Sequence, residues 1–294
     1  MEARKQLRKL VESDEILILP GAYDALSARL AEAAGFSCVY MTGYGQSASK
    51  LGQPDVGLMT MSEMAERAAD MVMAVNVPVI CDADTGFGNN VNVVRTIREY
   101  ERAGVAAIQL EDQTTPKKCG HMLGRQVVDA EEMVNKIRAA AAARQDPDFL
   151  IIARTDARTN HGVEEAIRRA RLYEQAGADI IFVESLESVE EMRMVNEAIA
   201  KPTIANMVET GRTPLLTAAQ LQEIGYDMVV FPISALFVAA KAVYDMLMDL
   251  RANGTTRNCL DEMMSFSQFS DFIGLPLVRE LEENRFDSVA KKLR

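Results

Sequence analysis

The chain has 294 residues, 48% hydrophobic and 26% charged, which is ordinary globular usage and excludes a largely disordered protein. Its 32 Lys and Arg face 43 Asp and Glu, a formal charge of −11 that argues against a nucleic-acid partner. Four scattered cysteines without a CxxC pair exclude a disulfide scaffold or zinc ribbon and point to a reducing, cytoplasmic setting; the polar N-terminus lacks a signal peptide, and no charge-free apolar run reaches the roughly 18 residues of a membrane span.

Short apolar runs recur in chain order at Ile16–Pro20, Cys38–Thr42, Val77–Cys81, Ala106–Leu110, Phe149–Ala153, Ile180–Val183, Thr203–Asn206 and Met228–Phe231. Their spacing averages about 30 residues, the size of a βαβ unit. Near-continuous apolar character, without alternation, predicts parallel strands covered by helices. The helices between them read clearly at Met61–Met73, with Thr60 or Ser62 as cap and Glu63 in the first turn, and at Ala130–Ala143, Gly162–Ala176, Thr217–Ile224 and Ser234–Leu250. A helix-end, glycine, strand unit repeats at Glu32–Tyr40, Glu101–Gln109, Glu174–Phe182 and Gln222–Val230, before alternate runs. This rhythm predicts a (β/α)8 TIM barrel over residues 1–250. Residues 251–294 form a helical extension, with helical character at Leu260–Met264 and Pro276–Glu283 and a role in packing on a neighbouring subunit.

In such a barrel the site lies at the C-terminal strand ends. Acidic groups dominate there. Asp82-Ala83-Asp84 puts two carboxylates on one side of a strand end, and Glu111 ends the next strand at equivalent height. Converging carboxylates repel unless a hard divalent cation joins them, and magnesium suits oxygen ligands; Asp55 can reach its water shell. The loop Thr114–Gly124 carries Lys117, Lys118, Cys119, Gly120 and His121. Its cations are expected to lower the Cys119 pKa, making it a general acid or a nucleophile, while Gly120 permits close backbone approach to a ligand. Arg154, ending the fifth run, needs an anionic partner, from Glu184 or from a substrate carboxylate. Asn206 can donate to a carboxylate or a developing oxyanion.

These stretches resemble the isocitrate lyase/phosphoenolpyruvate mutase superfamily over nearly the whole chain. The likeness rests on Pro20–Asp24, Leu51–Asp55, Asp82–Asn89, Leu110–Gln113, Lys117–His121 and Ile152–Asp156. The Lys-Cys-Gly-His element matches its C–C lyases, not its phosphonate enzymes. The resemblance implies a homotetramer with helix exchange between subunits, and Mg2+ with Mn2+ as substitute. It implies that Asp82 and Asp84 hold the metal, with Asp55 and Glu111 completing its water shell. Cys119 is then the acid/base, Gly120, His121, Arg154, Glu184 and Asn206 bind substrate, and Thr42-Gly43-Tyr44 holds the 2-oxo acid half. Tyr40 is a candidate base for the hydroxyl proton. Gln109 replaces the histidine of the tricarboxylate lyases, and Pro232 resembles lyases that accept a C2 alkyl group. The expected substrate is therefore a small di- or tricarboxylate. The reading is retro-aldol cleavage of 2,3-dimethylmalate to pyruvate and propionate; the alternatives are 2-methylisocitrate cleavage to pyruvate and succinate, or oxaloacetate decarboxylation.

Overall fold

The computed structural model describes residues 2–286. Eight parallel strands close into a barrel in sequence order, the first pairing with the last. They are β1 (Leu17–Ala22), β2 (Val39–Met41), β3 (Val79–Asp82), β4 (Ala107–Glu111), β5 (Leu150–Thr155), β6 (Ile180–Val183), β7 (Thr203–Asn206) and β8 (Met228–Phe231). Each strand grows from one of the eight apolar runs.

The helices that cover it are α1 (Glu2–Val11), α2 (Ala25–Ala33), the one-turn α3 (Gly43–Gln46), α4 (Met61–Ala74), α5 (Asn90–Arg102), α6 (Ala130–Ala143), α7 (Arg158–Ala176), α8 (Val189–Ala198) and α9 (Ala218–Ile224). Capping chemistry sets several boundaries. Thr60 and Glu63 form a capping box at the start of α4, and Thr217 and Gln220 form one at α9. The repeated unit ends α7 and α9 on Gly177 and Gly225, whose φ values of 110° and 115° only glycine adopts readily. Helix α7 begins at Arg158, ahead of the expected Gly162, and Gly162 breaks it with a φ of 84°.

Period-two alternation along the strands sorts their side chains into two layers. Leu17, Leu19, Tyr40, Ile80, Ala107, Leu150, Ile152, Ile180, Phe182, Ile204, Met228 and Val230 fill the barrel interior, joined by Leu7 and Val11 of α1. The intervening residues, such as Val39, Met41, Cys81, Ile108, Ile151 and Val229, pack outward against the helices. Burying a side chain such as Leu7 contributes about 1.5–3 kcal/mol. Arg4 anchors α1, donating to the carbonyls of Val105 at 3.0 Å and Glu101 at 2.6 Å.

Two compact units are distinguished, residues 1–237 and 238–294, and the division falls inside α10 (Ser234–Asn253). The second unit holds the rest of α10, a 3₁₀ turn at Arg257–Glu262, α11 (Phe266–Phe272) and α12 (Leu275–Glu282). The helical character expected at Leu260–Met264 is met only as far as Glu262, by the 3₁₀ turn, and that at Pro276–Glu283 by α12. Residues 287–294, the end of the expected extension, lie outside the described residues.

Candidate active site

The interior layer explains why distant residues meet. Two positions beyond an inward apolar residue lies the next inward position, and at the C-terminal strand ends it is occupied by a polar residue or, after β8, by a proline. Tyr40 leads to Thr42, Ile80 to Asp82, Ala107 to Gln109 and Glu111, Ile152 to Arg154, Phe182 to Glu184, Ile204 to Asn206 and Val230 to Pro232. Above the apolar floor lies a cavity of about 280 Å³, a size suited to a small acid. Twelve of the expected residues line it: Tyr40, Thr42, Tyr44 and Asp55 on one side, Asp82, Cys119, Gly120 and His121 on the next, and Arg154, Glu184, Asn206 and Pro232 opposite. Gly43, Asp84 and Glu111 stand behind that lining. Thr42 caps α3 by accepting from the Gly45 N–H, and Gly43 packs directly on Asp82.

Asp55, Asp82, Asp84 and Glu111 are all buried. The group that meets them is Lys117, whose ammonium lies 2.7 Å from Asp55 Oδ1 and 2.8 Å from Asp84 Oδ1. Burial raises the Asp84 carboxyl to about 6, although Lys117 pulls it down and Asp82 and Asp55 push it further up. Burial likewise raises Glu111, against the opposing pull of Arg154 and Lys117. Among the described residues no three His, Cys, Asp or Glu side chains stand close enough to ligate one ion, and Lys117 pairs with both Asp55 and Asp84. The donor set nevertheless fits a hard cation. It is all carboxylate oxygen, it keeps an excess of negative charge over Lys117, and Glu111 Oε1 is buried without a hydrogen-bond partner.

The cysteine loop corrects one expectation. Lys117 turns to the carboxylates and Lys118 donates to the Gly124 carbonyl at 3.0 Å, so neither serves the thiol. Burial raises the Cys119 pKa; the His121 backbone lowers it, and Asp55 adds to the rise. Cys119 is held as a protonated thiol, the form a general acid requires, and not as the activated thiolate expected from its neighbours. The loop is seated by the Cys119 N–H donating to the Asp55 carbonyl at 3.1 Å and by the Ser185 hydroxyl donating to the Gly120 carbonyl at 2.8 Å. A Cβ on Gly120 would fall 2.5 Å from Arg154 Nη2 and 2.8 Å from the Glu184 carboxyl, so only glycine lets the loop approach them.

Arg154 has more partners than expected. Asp156 accepts from its Nε at 2.9 Å and Nη2 at 2.8 Å, Glu184 lies 3.3 Å away and Glu111 3.5 Å, and the guanidinium stacks over Phe182. Burial favours the neutral Glu184 carboxyl, yet Arg154, His121 and Arg125 hold it down at about 2. Asp156 also pairs with the buried Arg125, which reaches Ser185 as well. Sequence reasoning missed Asp156 as Arg154's partner, Arg125 altogether, and Lys117 as a partner of the acidic cluster. For Asp156 the signal was its place two residues past Arg154; for Arg125 no signal precedes the fold. Tyr40 also departs from expectation. Its hydroxyl donates to Gln109 Oε1 at 2.8 Å, and burial, with Asp82, raises its pKa far above the ordinary value, which suits a donor and not a base.

The phosphoenolpyruvate phosphomutase family matches residues 7–251. A 2,3-dimethylmalate lyase of Eubacterium barkeri is 55% identical over 284 residues, 97% of this chain and 98% of that protein. The crystal structure of a 2,3-dimethylmalate lyase, a PEP mutase/isocitrate lyase superfamily member, aligns with a TM-score of 0.91 at 40% identity, covering 96% of this chain and 95% of that one. Oxaloacetate acetylhydrolase bound to the inhibitor 3,3-difluorooxalacetate aligns with a TM-score of 0.91 at 37% identity, covering 96% and 97%. The chain belongs to the isocitrate lyase/PEP mutase superfamily. It is an enzyme of the oxo-acid lyase class, and its carbon–carbon lyase chemistry resembles that of 2,3-dimethylmalate lyase.

Proposed function

We propose that the chain cleaves a 2-alkyl-2-hydroxy diacid, 2,3-dimethylmalate, to pyruvate and propionate. The observation that carries this reading is the mixed lining of the cavity. It offers carboxylates, Arg154 and a protonated thiol together with the apolar side chains of Phe182, Val230, Pro232, Ile233 and Phe237. An alkyl-bearing diacid uses both kinds of contact. Gln109, buried and bonded to Tyr40, supplies no cation for a third carboxylate.

Asp82 and Asp84, with Asp55 and Glu111 beyond them, would hold magnesium, or manganese in its place. Such an ion would supply Lewis-acid polarisation of the substrate's oxygens. The chain's own residues do the rest. Thr42, Gly43 and Tyr44 cradle the C1–C2 half, and Tyr40, its hydroxyl proton held by Gln109 Oε1, lines the cavity beside them. Arg154, Gly120, His121 and Asn206 hold the second carboxylate, with Glu184 fixing Arg154 and accepting from Asn206 at 3.0 Å. The hydroxyl proton passes to a carboxylate at the cavity wall, Asp55 or Asp82, its O–H electrons form the new C2 carbonyl, and the C2–C3 bond breaks. C3 keeps that electron pair as a carboxylate-stabilised enediolate, and Cys119 Sγ returns a proton to it.

The same reading gives the second unit its purpose. Val238 is 70% exposed and Phe266 89% exposed, and exchange of this unit between subunits in a homotetramer would cover them. The described cysteines are all unpaired thiols, which suits a reducing cytoplasm, and no helix of the described residues is long and apolar enough to cross a membrane.

The test is incubation of the magnesium-supplied enzyme with 2,3-dimethylmalate, 2-methylisocitrate, isocitrate and oxaloacetate. Pyruvate and propionate from the first, in equal amounts, is the expected result. Preferred release of succinate from 2-methylisocitrate, or turnover of oxaloacetate alone, would reject this assignment.

A further inference from the structure

The turn after β7 meets the cysteine loop at His121. The Gly211 N–H donates to the Val208 carbonyl at 3.0 Å, closing a four-residue turn. Inside it Thr210 takes a φ of 59°, a left-handed backbone that a β-branched residue seldom adopts. The turn aims the next amide at the loop, and the Arg212 N–H donates to His121 Nδ1 at 3.3 Å. Gly211 lies against the imidazole. A Cβ there would fall 2.7 Å from His121 Nδ1, 2.8 Å from Cε1 and 2.9 Å from the Val208 carbonyl oxygen. Gly211 is not among the residues with positive φ, so its neighbours require the glycine and its own backbone does not.

These contacts settle more than the ring's position. A neutral imidazole whose Nδ1 accepts a hydrogen bond carries its proton on Nε2. Burial lowers the His121 pKa despite the pull of Glu184, which keeps the ring neutral. Nε2 is buried, has no hydrogen-bond partner and stands 3.5 Å from Glu184 Oε1 at the cavity wall. The Met122 N–H donates to the Cys119 carbonyl at 2.9 Å, so His121 and Cys119 belong to one tight turn and move together.

We infer that Gly211 and the Arg212 amide form the seat on which His121 closes the cysteine loop, making Gly211 a positioning residue for both His121 and Cys119. The catalytic consequence rests on the proposed roles of those two side chains; the seating itself is independent of the substrate. Gly211→Ala in the full chain tests it by two readouts. Peptide-resolved alkylation by iodoacetamide should show Cys119 modified severalfold faster than in the parent, with Cys259 unchanged. Cleavage should lose about 10²-fold in kcat, the scale for displacing a catalytic group by about 1 Å, with a smaller rise in KM because His121 is one of four groups on the second carboxylate. In a His121→Ala background, adding Gly211→Ala should alter Cys119 alkylation by less than about twofold, because the clash with the imidazole is gone and the remaining one, with the Val208 carbonyl, lies within the turn and not on the cysteine loop. If Gly211→Ala fails to fold, His121→Ala alone probes the seat from the loop side and must also speed Cys119 alkylation. Unchanged Cys119 alkylation in the folded variant overturns the inference. Faster alkylation in a chain whose parent cleaves no 2-alkylmalate upholds the seat and rejects the substrate reading instead.

Discussion

Lys117→Met keeps much of the side-chain stem and deletes the ammonium from the acidic cluster. That ammonium lies 2.7 Å and 2.8 Å from the two Asp55 oxygens and 2.8 Å from Asp84 Oδ1, and only 4% of the side chain is exposed. Removing one partner of a buried ion pair costs about 3–5 kcal/mol, since the partner left behind keeps its desolvation penalty. Two carboxylates are stranded here, but Asp84 has an escape. Burial already raises its carboxyl from 3.8 to about 6, and without Lys117 it rises further. A carboxyl with a raised folded pKa loses stability as pH climbs from its unfolded value toward the folded one. The deficit should therefore be about 3–5 kcal/mol at pH 8 and smaller at pH 5, where Asp84 takes a proton. A magnesium ion held by these carboxylates replaces the missing charge and shrinks the deficit again. Urea unfolding at both pH values, with EDTA and with magnesium, reads all of these. A pH 8 deficit in EDTA below about 1 kcal/mol, the level of an exposed pair, or one indifferent to both pH and magnesium, would refute the reasoning.

Other outcomes follow from the same geometry. Asp156→Asn leaves Arg154 and Arg125 short of a shared buried carboxylate and should cost about 3–5 kcal/mol in urea unfolding, with KM for the diacid raised as Arg154 loses its orientation. Magnesium affinity, measured by calorimetry from pH 5 to 8, should tighten as pH rises through about 6, because Asp84 must lose its proton to serve as a ligand; affinity independent of pH would remove Asp84 from the site. Cys119 alkylation should still be climbing at pH 9, the ordinary thiol value, since burial raises this group. Light scattering at micromolar concentration should give about four times the 32.4 kDa chain mass, and a monomer would contradict the exchanged assembly.

How much was legible in the sequence follows from the range of the forces involved. The barrel was readable because each strand is a local apolar run and several helix starts carry their own cap, as Thr60 and Thr217 do. Most of the residues that gather at the candidate site were readable for the same reason: strand ends are visible, and inward positions follow at intervals of two. What was lost depends on side-chain reach across the barrel mouth. Lys117 looked like a neighbour of Cys119 in sequence, but its long stem carries the charge to Asp55 and Asp84. Arg125 lies in a loop and meets Asp156 only once β5 and the loop after β4 are folded together. The Cys119 pKa was misjudged because burial, which no local pattern reports, outweighs the charges adjacent in sequence. Gly211 carried no signal at all, since its neighbour His121 comes from a loop 90 residues earlier.

The most direct measurement of the central claim is turnover of 2,3-dimethylmalate by the parent chain and by Cys119→Ser, each with a parallel magnesium-binding titration. Serine keeps the size of the side chain and supplies a far weaker acid. The predicted result is release of pyruvate and propionate by the parent and a loss of about 10²–10⁴ in kcat for the variant, with magnesium affinity unchanged because Asp82, Asp84 and Asp55 remain. Cleavage by Cys119→Ser at the parent's rate would contradict the assignment of the carbon acid, and absence of pyruvate from the parent with every 2-alkylmalate would contradict the lyase reading as a whole.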